Sequence, residues 1–409
     1  MKKDQTYYGE VWFTDTPEKK QFCTLSFVKD DIILKTNLHS QKLTYKELQI
    51  FGLFTGLGHL TFVDCIIQHS SSGIIETRHY IPSYTFISTS HKIDPVNLKF
   101  KEFFIVNDTI VNWVNHAPWY DHIDDQLTRK QFNHDYEVTG KDIKINIEHY
   151  QKFHLSKRTE FVISNRGLIK FELKEPISVL SAIGLYNQFQ KVLQLLLGYS
   201  LKFDRFNFKC LGCNELKELY YNEDKLANST NATTFVHTKY EEIKPSLLEI
   251  FNAVYTDEKF QFCLDKLMEN FIGKQPSHNK RFTNSIAAYE AFCKLYTDTP
   301  KSSLKNHIIK FEDVFKKVGK IDDKEWEKFP SKVVRSRDYH IHSNVGNKGI
   351  FSEFDLLYIS FLFDFVIAYL LLSEINVQQE LLDKYMQHGN KVFIDMKRTN
   401  SILGSNLLE

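Results

Sequence analysis

The feature that most constrains the fold is a change in sequence pattern near Pro176. Before it, short runs rich in Thr, Tyr, Phe, Val and Ile alternate with polar turns, as in TYYGEVWF, FCTLSFV and DIILKTNL. Runs of this kind without intervening helical patterns predict an antiparallel, sandwich-like β region over residues 1–175. After Pro176 the patterns are mainly helical. The sequence therefore predicts an α+β protein in which strands come first and helices follow.

The helical part divides at KQPSHNKR, residues 274–281, a polar and cationic stretch broken by a proline. A mostly helical middle segment, 176–274, precedes it and contains one short β-like piece, SLKFDRFNFKCLGC. The segment 275–409 has clear helical periodicity and predicts a bundle of four or five helices. Within it, SSLKNHIIKFEDVFKKVGK predicts one helix that Ser302 or Ser303 caps and Gly319 ends.

The longest apolar run is FDLLYISFLFDFVIAYLLLSEI, residues 354–375. In a membrane it would place Asp364 near the bilayer centre, at a cost of roughly 3 kcal/mol on insertion scales. We therefore expect a buried core helix rather than a membrane span. The start of the chain, MKKDQTYYGEVWF, does not resemble a secretory signal, and the six cysteines are scattered. These features favour a cytoplasmic protein that does not enter a membrane.

Charge is distributed unevenly along a chain whose formal net charge is only +1. Residues 275–350 contain 15 Lys plus Arg against 9 Asp plus Glu, a local net charge of +6. A polyanion such as RNA is therefore expected to approach the C-terminal bundle rather than the β region. A lysine-rich solvated face gives the same count, so charge alone does not decide between the two interpretations.

The stretch VVRSRDYHIHSN, residues 333–344, concentrates cationic and titratable side chains. Arg335 and His340 are five positions apart, and so are Arg337 and His342. Five positions on an α-helix correspond to about 140° of misalignment, so each pair can share a cleft only if the helix ends between its members. SNVGNKG, which follows directly, is typical of a helix stop. A histidine beside an arginine suits proton transfer and charge stabilisation at a phosphodiester.

With its setting, this stretch resembles the R-x4-6-H signature of HEPN-domain ribonucleases. R-D-Y-H-I-H lies in a helical bundle and precedes a long apolar helix, and a large β region stands before the bundle. That combination is most similar to the ApeA family of anti-phage defence proteins. The family pattern places a polar residue, often Asn, directly after the Arg. It therefore favours Arg337, Asp338 and His342 as the catalytic set, with Asp in place of the common Asn.

The resemblance implies a metal-independent endoribonuclease of abortive infection that needs no cofactor and cuts cellular RNA, with tRNA the expected substrate. His342 is then the acid and base, Arg337 stabilises the transition state and Asp338 orients them. Arg335, Tyr339 and His340 are expected to support the site or contact RNA. The resemblance also implies a homodimer or larger homo-oligomer through the HEPN domain. The β region is then the sensor of a phage-derived trigger, or the restraint on the nuclease.

Alternatives remain for the same residues. A surface helix end also attracts Arg and His, because cations favour the negative helix terminus. The bundle is then a non-catalytic RNA-binding or assembly module, and the β region binds a protein or carbohydrate.

Cys210 and Cys213 form a lone C-x-x-C, a weak candidate for a metal site that lacks a second pair of ligands. Glu290 is expected to be solvated rather than paired with Arg337, and the histidines His278 and His307 are expected on the surface.

Overall fold

A computed structural model of the chain gives the fold. The residues it describes are 1, 5–28, 31–39, 48–71, 76–89, 93–95, 97–106, 110, 113–114, 119–121, 126–128, 132–157, 160–197, 205–210, 215–221, 238–271, 277–342 and 349–387.

Six antiparallel strands near the N-terminus close into a barrel. Its order is β6-β3-β2-β1-β4-β5, and β5 pairs with β6 to complete the ring. The barrel core includes Val11, Leu25, Leu34 and Phe62, which come from four different strands and are fully buried. The strands are β1 (Thr6–Phe13), β2 (Gln21–Val28), β3 (Asp31–Thr36), β4 (Ile50–Phe54), β5 (Gly58–Ser71) and β6 (Thr77–Ser88).

The second half of β6 stays paired with β5 but has β14 instead of β3 on its other side, and so it continues into an open antiparallel sheet. The order across this sheet is β10-β11-β12-β7-β13-β14-β6, and β8 and β9 form a separate hairpin. β13 comes from the predicted β-like piece, β14 follows that piece in the middle segment, and the two strands lie between β7 and β6. These strands are β7 (Lys99–Val106), β8 (Trp119–Asp121), β9 (Gln126–Thr128), β10 (Phe132–Val138), β11 (Ile143–Lys157), β12 (Glu160–Ser178), β13 (Arg205–Cys210) and β14 (Lys217–Tyr221).

Helices make up the rest of the described chain, which confirms the predicted α+β class. α1 packs on β7 and β12, whereas α9 runs through the centre of the C-terminal bundle against α4, α5 and α7. The helices are α1 (Val179–Leu197), α2 (Tyr240–Ile243), α3 (Leu247–Thr256), α4 (Glu258–Met268), α5 (His278–Tyr296), α6 (Leu304–Lys310), α7 (Glu312–Gly319), α8 (Asp323–His342) and α9 (Glu353–Glu374). Residues 379–387 are also helical.

The prediction of one helix over residues 302–320 is wrong, because the helix is interrupted at Phe311, between α6 and α7. In a continuous helix the His307 carbonyl would accept the Phe311 N–H. Here that carbonyl accepts the Tyr289 hydroxyl at 2.7 Å, and the Phe311 N–H turns to Ile308 and Ile309. The predicted ends hold: the Ser303 hydroxyl caps α6, and Gly319 is the last residue of α7.

The long apolar helix α9 is a core element of the bundle. Among the described helices it alone has the length and hydropathy of a membrane span, and 72% of its apolar window is buried inside the protein. Its Asp364 is fully buried and pairs with Arg281 of α5 at 2.7 Å. Ser285 and Asn270 also donate hydrogen bonds to this carboxylate, at 2.7 and 3.3 Å. A paired, hydrogen-bonded Asp is what a charge in a protein interior requires, and it fits the predicted core helix.

The open sheet and the bundle share one continuous hydrophobic core, whereas the barrel has a core of its own. Phe189 of α1 contacts Phe171 of β12 on one side and Phe251 of α3 on the other. The Tyr385 hydroxyl, from the last described helical segment, donates to the Leu195 carbonyl of α1 at 2.7 Å. α1 therefore joins the sheet to the bundle, so a change in either part is transmitted through packed side chains.

Candidate active site

The candidate site lies on the last two turns of α8, and the start of that helix is fixed by a reciprocal cap. The Asp322 carboxylate accepts the Glu325 N–H at 2.8 Å, and the Glu325 carboxylate accepts the Asp322 N–H at 3.1 Å. Acidic residues in this first turn also favour the positive helix terminus. The helix therefore begins at a defined residue, which sets the direction of each later side chain.

One face of α8 is held in the bundle core. Trp326, Phe329 and Val333 are buried on it, and Trp326 and Phe329 contact Phe315 of α7. One turn further on, Ser336 is fully buried, and its hydroxyl accepts the Phe351 N–H at 2.9 Å. This bond ties the last part of α8 to Phe351, two positions before α9.

Arg337 is held by two carboxylates. Its Nη2 donates to Glu290 Oε1 of α5 at 2.9 Å, and its Nη1 donates to Asp338 Oδ1 at 3.0 Å. The Arg337 side chain is 25% exposed, so the guanidinium is fixed yet still reaches solvent. A guanidinium has five N–H donors, and these two bonds use two of them. The Nε atom is buried, so the second hydrogens of Nη1 and Nη2 are the donors that remain for a phosphate, although two negative charges lie beside them.

The expectation that Glu290 is solvated is wrong, since it is the partner of Arg337. Its side chain is 24% exposed and lies on the side of α5 that faces the candidate helix. Glu290 directly follows the fully buried Tyr289, about 100° around the helix. It therefore sits at the border of the buried face, where periodicity does not separate a solvated position from a partner facing the next helix.

His340 and Tyr339 form an aromatic cluster beside the Arg337 clamp. The two rings meet edge to face at 5.0 Å, and the His340 ring also contacts Phe282 of α5 at 6.4 Å. Burial lowers the pKa of His340, and the Glu353 carboxylate opposes that shift. The His340 Nε2 atom has no hydrogen-bond partner among the described residues. His340 is therefore a largely neutral, packed side chain near pH 7, consistent with a supporting position.

α8 ends at His342, directly before the predicted helix stop, and Arg337 lies five positions earlier on the helix rather than on its last turn. In regular helical geometry the positions of Arg337 and His342 differ by about 140°. The hydrogen bond between Ser336 and Phe351 and the contact of His340 with Phe282 of α5 hold these last turns of α8 in place. The side chain of His342 lies outside the described part of the structure, as do residues 343–348.

Arg335 is exposed on the opposite side of α8 from the core. Gly349, just before α9, packs beside it, and a Cβ built on this glycine would lie 3.5 Å from Arg335 Nη2. Gly349 has a φ of +70°, a conformation that favours glycine. The start of α9 therefore approaches the Arg335 guanidinium closely, which limits the directions that this side chain can take.

The expectation of a surface position is wrong for His307, which is 3% exposed. It lies three positions after the buried Leu304, on the apolar face of α6 that was visible in the sequence. Burial lowers the pKa of His307, and the nearby Glu290 carboxylate opposes that shift. His278, at the start of α5, lies nearer the surface, with its Nδ1 3.0 Å from the Glu353 carbonyl oxygen.

The weak metal candidate is not developed by the structure. Cys210 ends β13 and is partly buried, whereas Cys213 lies outside the described residues. The described residues contain no group of three or more His, Cys, Asp or Glu side chains arranged to hold a metal ion.

Comparison with known families agrees with this architecture. The model for ApeA N-terminal domain 1 matches residues 6–254, which include the barrel, the open sheet, α1 and most of α3. The chain belongs to the ApeA family. A second model, the Apea-like HEPN domain, matches residues 246–381, from the start of α3 through α9. No curated protein and no solved structure matches the chain.

Membership of the ApeA family places the candidate residues in a functional setting. The HEPN match contains α8 and both residues of the Arg337–Glu290 pair. An ApeA-like HEPN domain supports a HEPN-type nuclease in anti-phage defence. This agrees with the ribonuclease interpretation of the 333–344 stretch at the level of the domain.

Proposed function

We propose that this ApeA-family protein is a metal-independent endoribonuclease of abortive infection that acts in the cytoplasm and cuts cellular RNA, with tRNA as the substrate. The observation that carries the proposal is Arg337, oriented by Glu290 and Asp338 within the part of the chain that matches the HEPN model. A fixed guanidinium that still reaches solvent is suited to a phosphate whose charge grows during reaction.

In the proposed reaction His342 accepts the proton of a ribose 2′-hydroxyl. The 2′-oxygen attacks the adjacent phosphorus, and the bond to the 5′-oxygen of the next nucleotide breaks. A proton from an imidazolium neutralises that leaving oxygen, so the products are a 2′,3′-cyclic phosphate and a 5′-hydroxyl. Arg337 stabilises the doubly charged phosphorane-like transition state, and Asp338 keeps the guanidinium in place.

A homodimer or larger homo-oligomer is part of the proposal, with the HEPN domains in contact. On one helix the Arg337 and His342 positions differ by about 140°, so a single chain presents them in different directions. Two copies of the motif facing each other would supply both residue types to one cleft. The β region, whose open sheet packs into the same core as the bundle, is proposed to sense a phage-derived trigger and to restrain the nuclease until then.

A non-catalytic RNA-binding or assembly role is the second candidate. It is favoured by one observation, that the charge of Arg337 is already matched by two carboxylates. A guanidinium in a purely structural ion pair has the same surroundings. In that case the bundle binds RNA without cutting it, and the β region binds a protein or carbohydrate.

The chemistry of the products separates these two functions. Purified protein is incubated with total tRNA in EDTA, with and without lysate from phage-infected cells, and the fragment ends are analysed. Fragments with 2′,3′-cyclic phosphate ends, produced by the wild type but not by His342→Ala, are expected. RNA that stays intact under both conditions, although the protein binds it, supports the non-catalytic role instead.

A further inference from the structure

Three cationic residues form a row on the exposed face of α8. Lys324, Lys328 and Arg335 are all exposed and are separated by four and seven positions. These spacings place them within about 20° of a common line, and the row is about 16 Å long. The opposite face of α8 is buried through Phe329, Val333 and other core residues, so the row is held toward solvent.

The other two cations of α8 are engaged inside the protein. Lys332 is 5% exposed, and its ammonium lies 5.1 Å from the centre of the Phe351 ring. Burial lowers the pKa of Lys332, and the nearby Asp355 carboxylate opposes that shift. Arg337 is paired with its two carboxylates. By contrast, Lys324 and Lys328 form no ion pair with any carboxylate that the structure describes. The exposed positive charge of α8 is thus concentrated in the row.

Acidic residues flank the row without interrupting it. Glu327 is exposed but lies about 80° to one side of the line, and Asp338 lies about 60° to the same side and is already bonded to Arg337. The line itself therefore presents positive charge along its whole length, which complements a polyanion.

The row leads to the proposed catalytic histidine. Position 342, where α8 ends, is seven positions beyond Arg335 and so continues the same line to within about 20°. Arg335 is also the row residue beside which Gly349 packs closely. A phosphate chain that follows the row therefore reaches the end of α8, where cleavage is proposed.

We propose that Lys324, Lys328 and Arg335 bind phosphates along a single-stranded RNA segment that extends from the cut site. This inference rests on the proposed ribonuclease function and assigns the strand that leads to it. A straight row of three cations on one helix face matches one backbone. Single-stranded segments are also the parts of an RNA that proteins can hold in an extended form.

The test measures binding without cleavage. A fluorescein-labelled, unstructured 20-nucleotide RNA and a duplex of the same length are titrated into the full-length His342→Ala protein over a range of salt concentrations. The row variant adds Lys324→Gln, Lys328→Gln and Arg335→Gln. The control variant instead adds Lys35→Gln, Lys99→Gln and Lys101→Gln, which removes the same charge from exposed positions of the β region.

The row variant is expected to bind the single strand at least tenfold more weakly at 100 mM salt. The magnitude of the slope of log K against log salt is also expected to fall by about 2, because the variant loses three phosphate contacts and each contact on a single strand contributes about 0.7. The control variant should keep both values. Equal losses in the two variants, no loss in either, or a larger loss for the duplex than for the single strand overturn the inference. So does an absence of RNA binding by the His342→Ala protein.

The inference and the proposed function fail in different ways. If the row variant loses binding but the wild type cuts no RNA with lysate present, the ribonuclease proposal is wrong and the binding row stands. If the wild type cuts RNA and a protein that carries Lys324→Gln, Lys328→Gln and Arg335→Gln but keeps His342 does so with an unchanged KM, the row is wrong and the ribonuclease stands. Matching melting temperatures of the row and control variants would establish that both are folded.

Discussion

Removal of the Asp364 carboxylate should destabilise the protein strongly, because it leaves Arg281 without its buried charge partner. Asp364 is fully buried, the Arg281 side chain is 11% exposed, and their atoms lie 2.7 Å apart. Burial raises the pKa of Asp364, whereas Arg281 and two hydrogen bonds oppose the rise. Loss of one partner from a buried ion pair costs about 3–5 kcal/mol. Asp364→Ala is therefore expected to lose that much unfolding free energy.

The shift in melting temperature also reports how much of the chain unfolds together. With about 2.1 cal/mol/K of unfolding entropy per residue, a loss of this size lowers the Tm by about 4–6 °C if the whole chain melts in one transition. If the HEPN region, residues 246–381, melts by itself, the same loss lowers its Tm by about 10–18 °C. The core that the bundle shares with the open sheet predicts a shift closer to the smaller range. Differential scanning calorimetry measures both the Tm and the number of transitions.

Two control variants make this prediction specific. Lys191 and Asp265 also lie 2.7 Å apart, but their side chains are 24% and 46% exposed. Asp265→Ala should therefore change the unfolding free energy by less than about 1 kcal/mol. The double variant Arg281→Met with Asp364→Leu replaces the buried pair by apolar side chains and should regain most of the loss. A Tm change for Asp364→Ala no larger than that for Asp265→Ala would refute the reasoning.

Three further predictions concern the candidate site and its surroundings. Glu290→Ala releases Arg337 from a charged hydrogen bond of about 1.5–3 kcal/mol, so the single-turnover RNA cleavage rate should fall roughly 10–100-fold. The rate of Glu290→Gln should fall less. A Glu290→Ala rate equal to that of the wild type would show that the Glu290–Arg337 bond is not needed. Asp338→Asn keeps an acceptor oxygen for Arg337 and removes a negative charge near the RNA, so its rate should equal or exceed the wild type while Asp338→Ala is slower; equal losses in both variants would contradict this. Burial lowers the pKa of His307, so between that pKa and the ordinary value of about 6.5 the unfolded chain binds more protons than the folded one. Stability from His307 is therefore present above about pH 6.5 and is lost as the pH falls toward the folded pKa. Between pH 7 and pH 5 the Tm of His307→Gln should fall less than the Tm of the wild type. Equal falls in the two proteins would contradict this contribution of His307 to stability.

Local patterns in the sequence predict the fold class and the central helix, because those features depend on short-range periodicity. The change near Pro176 separates strands from helices to within a few residues, since β12 ends at Ser178 and α1 begins at Val179. The apolar run with a single central Asp is the core helix α9. The strand order is not predicted, since β6 serves both the barrel and the open sheet, and β13 joins β7 from about 100 residues away in sequence.

The candidate site is predicted in its residues on α8 but not in its partners. Arg337 and Asp338 are bonded to each other, and their joint catalytic role stays a prediction. Glu290 comes from another helix and lies at the edge of that helix's buried face, where sequence spacing alone does not assign a partner. The break at Phe311 likewise depends on the Tyr289 hydroxyl, which takes a backbone acceptor from a distant element. Both errors arise from contacts between helices rather than within one.

The most direct test of the central claim is the rate of tRNA cleavage in EDTA by wild type, Arg337→Ala, His342→Ala and the matched control His278→Ala, each activated with infected-cell lysate. The account predicts that Arg337→Ala and His342→Ala each lose at least about 100-fold in rate, while His278→Ala cleaves like the wild type. Cleavage by His342→Ala or Arg337→Ala at the wild-type rate would contradict the assignment of catalysis to the end of α8.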